Sequence, residues 1–201
     1  MERGKLLFVE GLSDNHLLPT RYETMRVTLW DTRRNAVQKD YAGGMGTGLY
    51  RGRGGLLDWL IGQGYRRDRR PVALNFAYLG GVFHQLGHQV QYVCDRLPPD
   101  SDLYIFNPAL LSLGIEHKMM QTLLRARPDA RIIVTGPVAY AMPEAFSDLQ
   151  VKVVRGEAEM LLWKLDEVLA DPEQVVSVGS VKELDSLPRP DWSLFDHRRF
   201  R

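Results

Sequence analysis

Between residues 102 and 157 the chain carries three short apolar runs: Leu103 to Phe106, Arg131 to Thr135 and Val151 to Val154. Each is β-branched or aromatic in character and ends in a polar, Gly- or Pro-bearing loop. A helical pattern in Ile115, Met119 and Leu123 separates the first two runs, and Arg125 and Arg127 suit the C-terminal end of that helix. Strand, helix, strand, loop, strand is the signature of a parallel α/β unit. In such sheets ligands sit where loops leave the carboxyl ends of the strands. The loops to watch are therefore Asn107–Ser112, Gly136–Met142 and Arg155–Glu159.

Flanking segments extend this unit. Lys5 to Val9 reads as a buried first strand, and Met25 to Asp31 as a possible extra one. From Pro71 to Asp95 a helix closes at Gly87, with Leu74, Ala77, Tyr78, Gly81, Val82 and Leu86 on its apolar face. An alternating strand through Val90, Tyr92 and Cys94 follows. Gly80-Gly81 inside that helix costs about 1 kcal/mol per residue relative to Ala, which close packing on the sheet would offset. Met142-Pro143-Glu144 opens a short helix. Leu161, Leu162, Leu165, Val168 and Leu169 form one stripe of a further helix, with Glu157 and Glu159 in its first turn. After Pro172 the stretch to Arg201 has no long periodic run and reads as a linker or docking arm. The expected fold is thus α/β, a flavodoxin-like or Rossmann-like three-layer arrangement with a mainly parallel sheet. Residues 1–172 form the domain, 13–70 an atypical Gly/Arg-rich insertion within it, and 173–201 the arm.

Several features narrow the chemistry. The 201 residues have a formal net charge of +1, so composition makes no case for a nucleic-acid or membrane partner. The start has too short an apolar run for a signal peptide, and no segment approaches the ~20 apolar residues of a membrane span. Cys94 is the single cysteine. It excludes an internal disulfide and any cluster held by several thiolates of this chain, and it is compatible with a cytoplasmic location. His84 and His88 have the i, i+4 spacing of helical zinc ligands, but Gly87 breaks the helix between them and no metal site is expected. Glu157 and Glu159 have their simplest role at a helix start rather than in acid–base work. No catalytic residue is assigned. Tyr41 to Gly55 is glycine-dense, a ligand-facing loop through Gly46 and Gly48 or a mobile surface loop; it matches neither a Walker loop nor GxGxxG. The basic run Tyr65 to Pro71 is a solvated face or a phosphate or partner contact.

Four stretches in order carry a family likeness. ALNFAYLGGVFHQLGHQVQYV, IIVTGPVAYAMPEAF, VKVVRGEAEMLLWKL and LDSLPRPDWSLFD resemble the N-terminal cobalamin-binding domain of the cobalamin-dependent radical SAM enzymes, the last being similar to the arm that leads into the radical SAM barrel. The resemblance covers residues 5–9 and about 72–201. It implies a cobalamin held over the strand ends by Gly46, Gly48, Asn107, Pro108, Ala109, Ser112, Leu113, Gly136, Pro137, Val138, Arg155, Gly156 and Glu157. The Asp-x-His-x-x-Gly motif of the other cobalamin class is absent, so the implied cofactor is base-off. The resemblance further implies that a [4Fe–4S] cluster and S-adenosylmethionine belong to a C-terminal barrel beyond this chain, which is that barrel's partner and most often part of a methyltransferase. The alternatives are a flavodoxin-like small-ligand or signalling module without cobalamin, and a nucleotide-sugar or other small-ligand transferase half gripping phosphate through Arg51, Arg53 and the run from Arg66 to Arg70. A receiver domain would want acidic residues clustered after the first strand, where Glu10 stands alone, and an Asp where Phe106-Asn107 ends a middle strand.

Overall fold

The computed structural model describes residues 24–32, 74–94, 96–110 and 112–195. Six strands lie in one sheet: β1 (Arg26–Asp31), β2 (Gln89–Cys94), β3 (Leu103–Phe106), β4 (Ile132–Val134), β5 (Lys152–Gly156) and β6 (Val175–Gly179). All five pairings are parallel, in the order β2-β1-β3-β4-β5-β6. Helices α1 (Leu74–Gln85), α2 (Leu113–Ala126), α3 (Gly136–Ala141) and α4 (Leu161–Ala170) cover both faces. This is an α/β fold of the flavodoxin-like and Rossmann-like kind. No helix among the described residues is long and apolar enough to cross a membrane.

Period-two alternation divides the core in two. On one face Val27, Leu29, Leu103, Ile105 and Val154 pack beneath Phe76, Leu79 and Phe83 of α1 and Leu161, Leu165 and Val168 of α4. On the other, Trp30, Tyr104, Phe106, Val134 and Val153 pack beneath Met120 and Leu123 of α2 and Val138 and Ala139 of α3. A parallel sheet covered on both sides has no polar face, which is why β3 and β4 read as unbroken apolar runs and every residue of both is buried. The β5–α4–β6 connection steps across the sheet in the same direction as the two before it but over the opposite face, so its hand is reversed relative to theirs.

Helix α1 ends as its glycine requires. Gly87 sits at φ 83°, its N–H bonds His84 O at 3.0 Å, and the His88 N–H bonds Phe83 O at 3.0 Å. These are the paired bonds of a Schellman cap. In α2 the inward-facing residues are Glu116, Met120 and Leu123, while Ile115 is exposed, so the apolar stripe expected from Ile115 and Met119 is turned by one residue.

Three expectations are revised. Met25 to Asp31 is a central strand, not an extra one, and it lies inside the stretch read as an insertion; β1 bonds both β2 and β3. Lys5 to Val9, Gly46, Gly48 and the basic run Tyr65 to Pro71 lie outside the described residues. The stretch after Pro172 contains β6, so the arm begins later than residue 173. Finally, Gly80-Gly81 packs against the arm and not against the sheet. A Cβ on Gly80 would meet the end of the Leu194 side chain, and one on Gly81 would meet the carbonyl of Arg189. The Asp191 N–H bonds Ala77 O at 2.8 Å, His84 Nδ1 lies 2.8 Å from Asp191 Oδ2, and the Phe195 ring sits 4.9 Å from that of Tyr92. The missing side chains of the glycine pair form the seat for residues 188–195.

Candidate functional site

Because all six strands run the same way, their carboxyl ends share one rim. A cleft of about 930 Å³ opens there over the ends of β3 to β6. Three glycines with positive φ build its floor at successive strand ends: Gly136 (φ 90°) after β4, Gly156 (φ 133°) in β5 and Gly179 (φ 83°) in β6. Their freedom from a Cβ matters in different ways. On Gly136 a Cβ would run into the Asn107 side chain, and on Gly156 into the backbone of Gly179. Gly179 faces open space. The register of β5 against β6 shifts between Arg155 and Gly156, a bulge that brings the two glycines opposite each other. The Glu157 N–H then bonds Gly179 O at 2.9 Å.

Polar groups rim this floor. The Arg155 guanidinium lies 5.4 Å from the centre of the Tyr140 ring, a cation–π contact. Glu157 Oε2 accepts from the Val181 N–H at 2.6 Å, pinning the chain where it leaves β6. Glu159, Ser177, Ser180, Ala141 and Ala158 complete the wall, and Asn75 reaches it from the first turn of α1. Thr135 holds the β3 and β4 ends together, its N–H and Oγ1 donating to Phe106 O at 2.8 and 3.2 Å.

Of the residues expected to bind a cofactor, Asn107, Gly136, Pro137, Arg155, Gly156 and Glu157 line this cleft together. Pro108, Ala109, Ser112, Leu113 and Val138 do not. Pro108 is buried. The Ala109 N–H and Ser112 Oγ donate to Glu116 Oε2 at 3.0 and 2.9 Å. Leu113 and Val138 pack into the core on the α2 face. Residues 136–141, expected as a loop, form the short helix α3, with Pro137 in its first turn. Asn75, Ser177, Gly179 and Ser180 were not indicated by the sequence reading. The signal for the last three was present: Val175-Val176-Ser177-Val178-Gly179 is a β-branched run closed by glycine.

Strand order reverses between β1 and β3, the switch point where open sheets often bind ligands. Here that position holds fully buried carboxylates. The Thr32 N–H donates to Asp31 Oδ1 at 2.9 Å, Tyr92 OH to Asp31 Oδ2 at 3.2 Å, and Thr32 Oγ1 to Glu116 Oε1 at 3.4 Å. Burial, and then the neighbouring Asp31 charge, push the Tyr92 phenol far above its usual range, so it stays a protonated donor. Asp31 ends the strand beside β3, and Glu10 lies outside the described residues; Asn107 follows β3 where a receiver would need an acid. His84 and His88 part ways: His84 faces the arm, whereas His88 Nδ1 accepts from the Met25 N–H at 3.3 Å and its ring lies against Phe83. No group of His, Cys, Asp or Glu able to hold a metal occurs among the described residues. Compared with protein-family models, curated proteins and solved structures, the chain finds no match in any of the three.

Proposed function

We propose that this chain is a cofactor-binding domain whose cleft receives a cobalamin in its base-off form, as in the cobalamin-dependent radical SAM enzymes that its sequence resembles. The observation carrying the reading is the row of positive-φ glycines at three neighbouring strand ends. A corrin is a broad flat ring fringed with amides, and it needs a floor of backbone rather than of bulky side chains. Gly136, Gly156 and Gly179 supply that floor, Ala141 and Ala158 keep its margins low, and Ser177, Ser180 and Asn107 offer polar partners for the fringe. A cleft of 930 Å³ lies in the upper range of ligand pockets and is open enough to leave one face of a large ring toward a partner. The proposed partner is a radical SAM barrel bearing its own iron–sulfur cluster, since Cys94 alone cannot hold one. Bound cobalamin would supply the methyl-transfer or radical chemistry; the role of this chain is to bind and orient it and to keep side chains off its face.

The test is to incubate the purified 201-residue protein with hydroxocobalamin and pass it through gel filtration. Co-elution near one equivalent, with a base-off absorption spectrum, is the expected result. Clean separation of protein and cofactor sinks the assignment, and a yellow, fluorescent protein on purification would favour a flavin module instead.

A further inference from the structure

Among the described residues, Arg155 is the one cation that lines the cleft, and the fold leaves it unpaired. It is the penultimate residue of β5 and is exposed. Val153 belongs to the core on the α3 side of the sheet and Val154 to the core on the α4 side, so alternation carries the Arg155 side chain toward α3. There its guanidinium lies 5.4 Å from the centre of the Tyr140 ring, which is itself exposed. No hydrogen bond or ion pair of Arg155 occurs among the described residues, although Glu157 and Glu159 line the same cleft. Glu157 is committed to the Val181 N–H. Glu159 stands between Ala158 and Met160, which pack on the α4 side of the sheet.

A guanidinium steadied by a tyrosine face and joined to no carboxylate keeps its five donors open to the cleft. Ser177 is its register partner on β6, so the two side chains leave the sheet on the same side, and the Ser177 hydroxyl also makes no hydrogen bond among the described residues. A fork of N–H donors beside a hydroxyl suits a phosphate, two of whose oxygens an arginine can meet at once. The ligand proposed above carries one such group, the singly charged phosphodiester that joins the corrin to its nucleotide base. In the base-off form that tail has left the metal, and its phosphate must be met by protein or by water. We propose that Arg155 is the residue that receives this phosphodiester, with the Ser177 hydroxyl as the second donor. The tail then crosses the rim on the α3 side, past Tyr140. This rests on the reading of the cleft as a cobalamin site and adds the group that recognises the cofactor's charged tail.

The experiment measures the affinity of the full chain for three corrinoids: hydroxocobalamin, cobinamide phosphate, which keeps a phosphate but lacks the nucleoside, and cobinamide, which lacks both. Wild type is compared with Arg155→Met, which removes the charge, and Arg155→Lys, which keeps the charge without the fork. Arg155→Met should bind hydroxocobalamin and cobinamide phosphate about ten- to a hundredfold more weakly, the worth of hydrogen bonds to a charged group, and should lose far less for cobinamide. Arg155→Lys should recover part of the loss. Equal weakening for all three ligands makes Arg155 a support of the cleft and overturns the assignment, as does unchanged affinity for all three. A loss confined to hydroxocobalamin puts Arg155 on the nucleoside, and the phosphate contact falls. In each of these cases wild type still binds and the cofactor reading stands. If wild type binds none of the three, the cofactor reading falls and takes this inference with it.

Discussion

Burial in the fold controls the titration of His88. It is 4% exposed, and burial holds its pKa below the ordinary imidazole value. Its Nδ1 accepts the Met25 N–H at the entry to β1, which only the neutral ring can do. The unfolded chain therefore takes up the proton more readily than the folded one. The stabilising contribution is complete above the unfolded pKa of about 6.5 and is lost as pH falls toward the lower folded value. Urea midpoints should drop between pH 8 and pH 5. In His88→Asn, whose carbonyl can still accept but does not titrate, this drop should shrink; an equal drop would remove His88 as its source. At this scale the sequence conveyed the Schellman glycine and the loop glycines Gly136 and Gly156, because a glycine next to a strand end has few other reasons to be there. It could not convey Asn75. A polar residue at the start of an apolar helix looks like solvent-facing surface until the strand ends are seen to stand beside it.

Among elements, the contact between α1 and the arm is the one with the clearest consequences. Two glycines weaken a helix by propensity, so Ala at either position would strengthen an isolated α1 by about 1 kcal/mol. In the folded chain the arm reverses that sign to different degrees. At Gly80 the hard obstacle is the tip of Leu194, which can rotate away, with Asp191 Cβ needing to give only slightly at 3.3 Å; at Gly81 it is the backbone carbonyl of Arg189, which cannot move without the arm. Gly81→Ala should therefore expel residues 188–195, seen as faster proteolysis within the arm and a changed Trp192 fluorescence, while Gly80→Ala should be nearly silent. Equal behaviour of the two would refute the seat described above. The same scale explains which elements were legible. β3 and β4 are buried on both faces and had to be apolar throughout. β6 is an edge strand in which only Val178 is buried, so little burial constrained its pattern and it passed for linker. MRVTLWD was underrated for another reason: periodicity identifies a strand but not its place in the sheet, and the polar ending of β1 disguised a residue pair buried by hydrogen bonds to Tyr92 and Glu116.

For the whole molecule, the alternation of strands and helices sufficed to expect a parallel three-layer fold, since parallel strands need crossovers and crossovers cover both faces. The position of the cleft was less legible. It depends on the β5–β6 bulge and on which loops stay low, and both follow from pairing partners far apart in sequence. Six of the eleven expected contact residues that are described line that rim, because strand ends were the right place to look. Ala109 and Ser112 do not, because they are occupied by a buried glutamate that no local pattern marked.

One consequence of a sheet with a single polarity is practical. The turns at its other margin, such as the exposed Pro128-Asp129 pair between α2 and β4, are as far from the glycine floor as the length of the strands allows. A cysteine installed there by Asp129→Cys gives a handle for a dye or a biosensor surface, with only the partly buried Cys94 to compete for the reagent. A chip carrying the protein by that handle should capture its ligand with the affinity measured in free solution, whereas tethering through a cysteine at Ser180 should abolish capture.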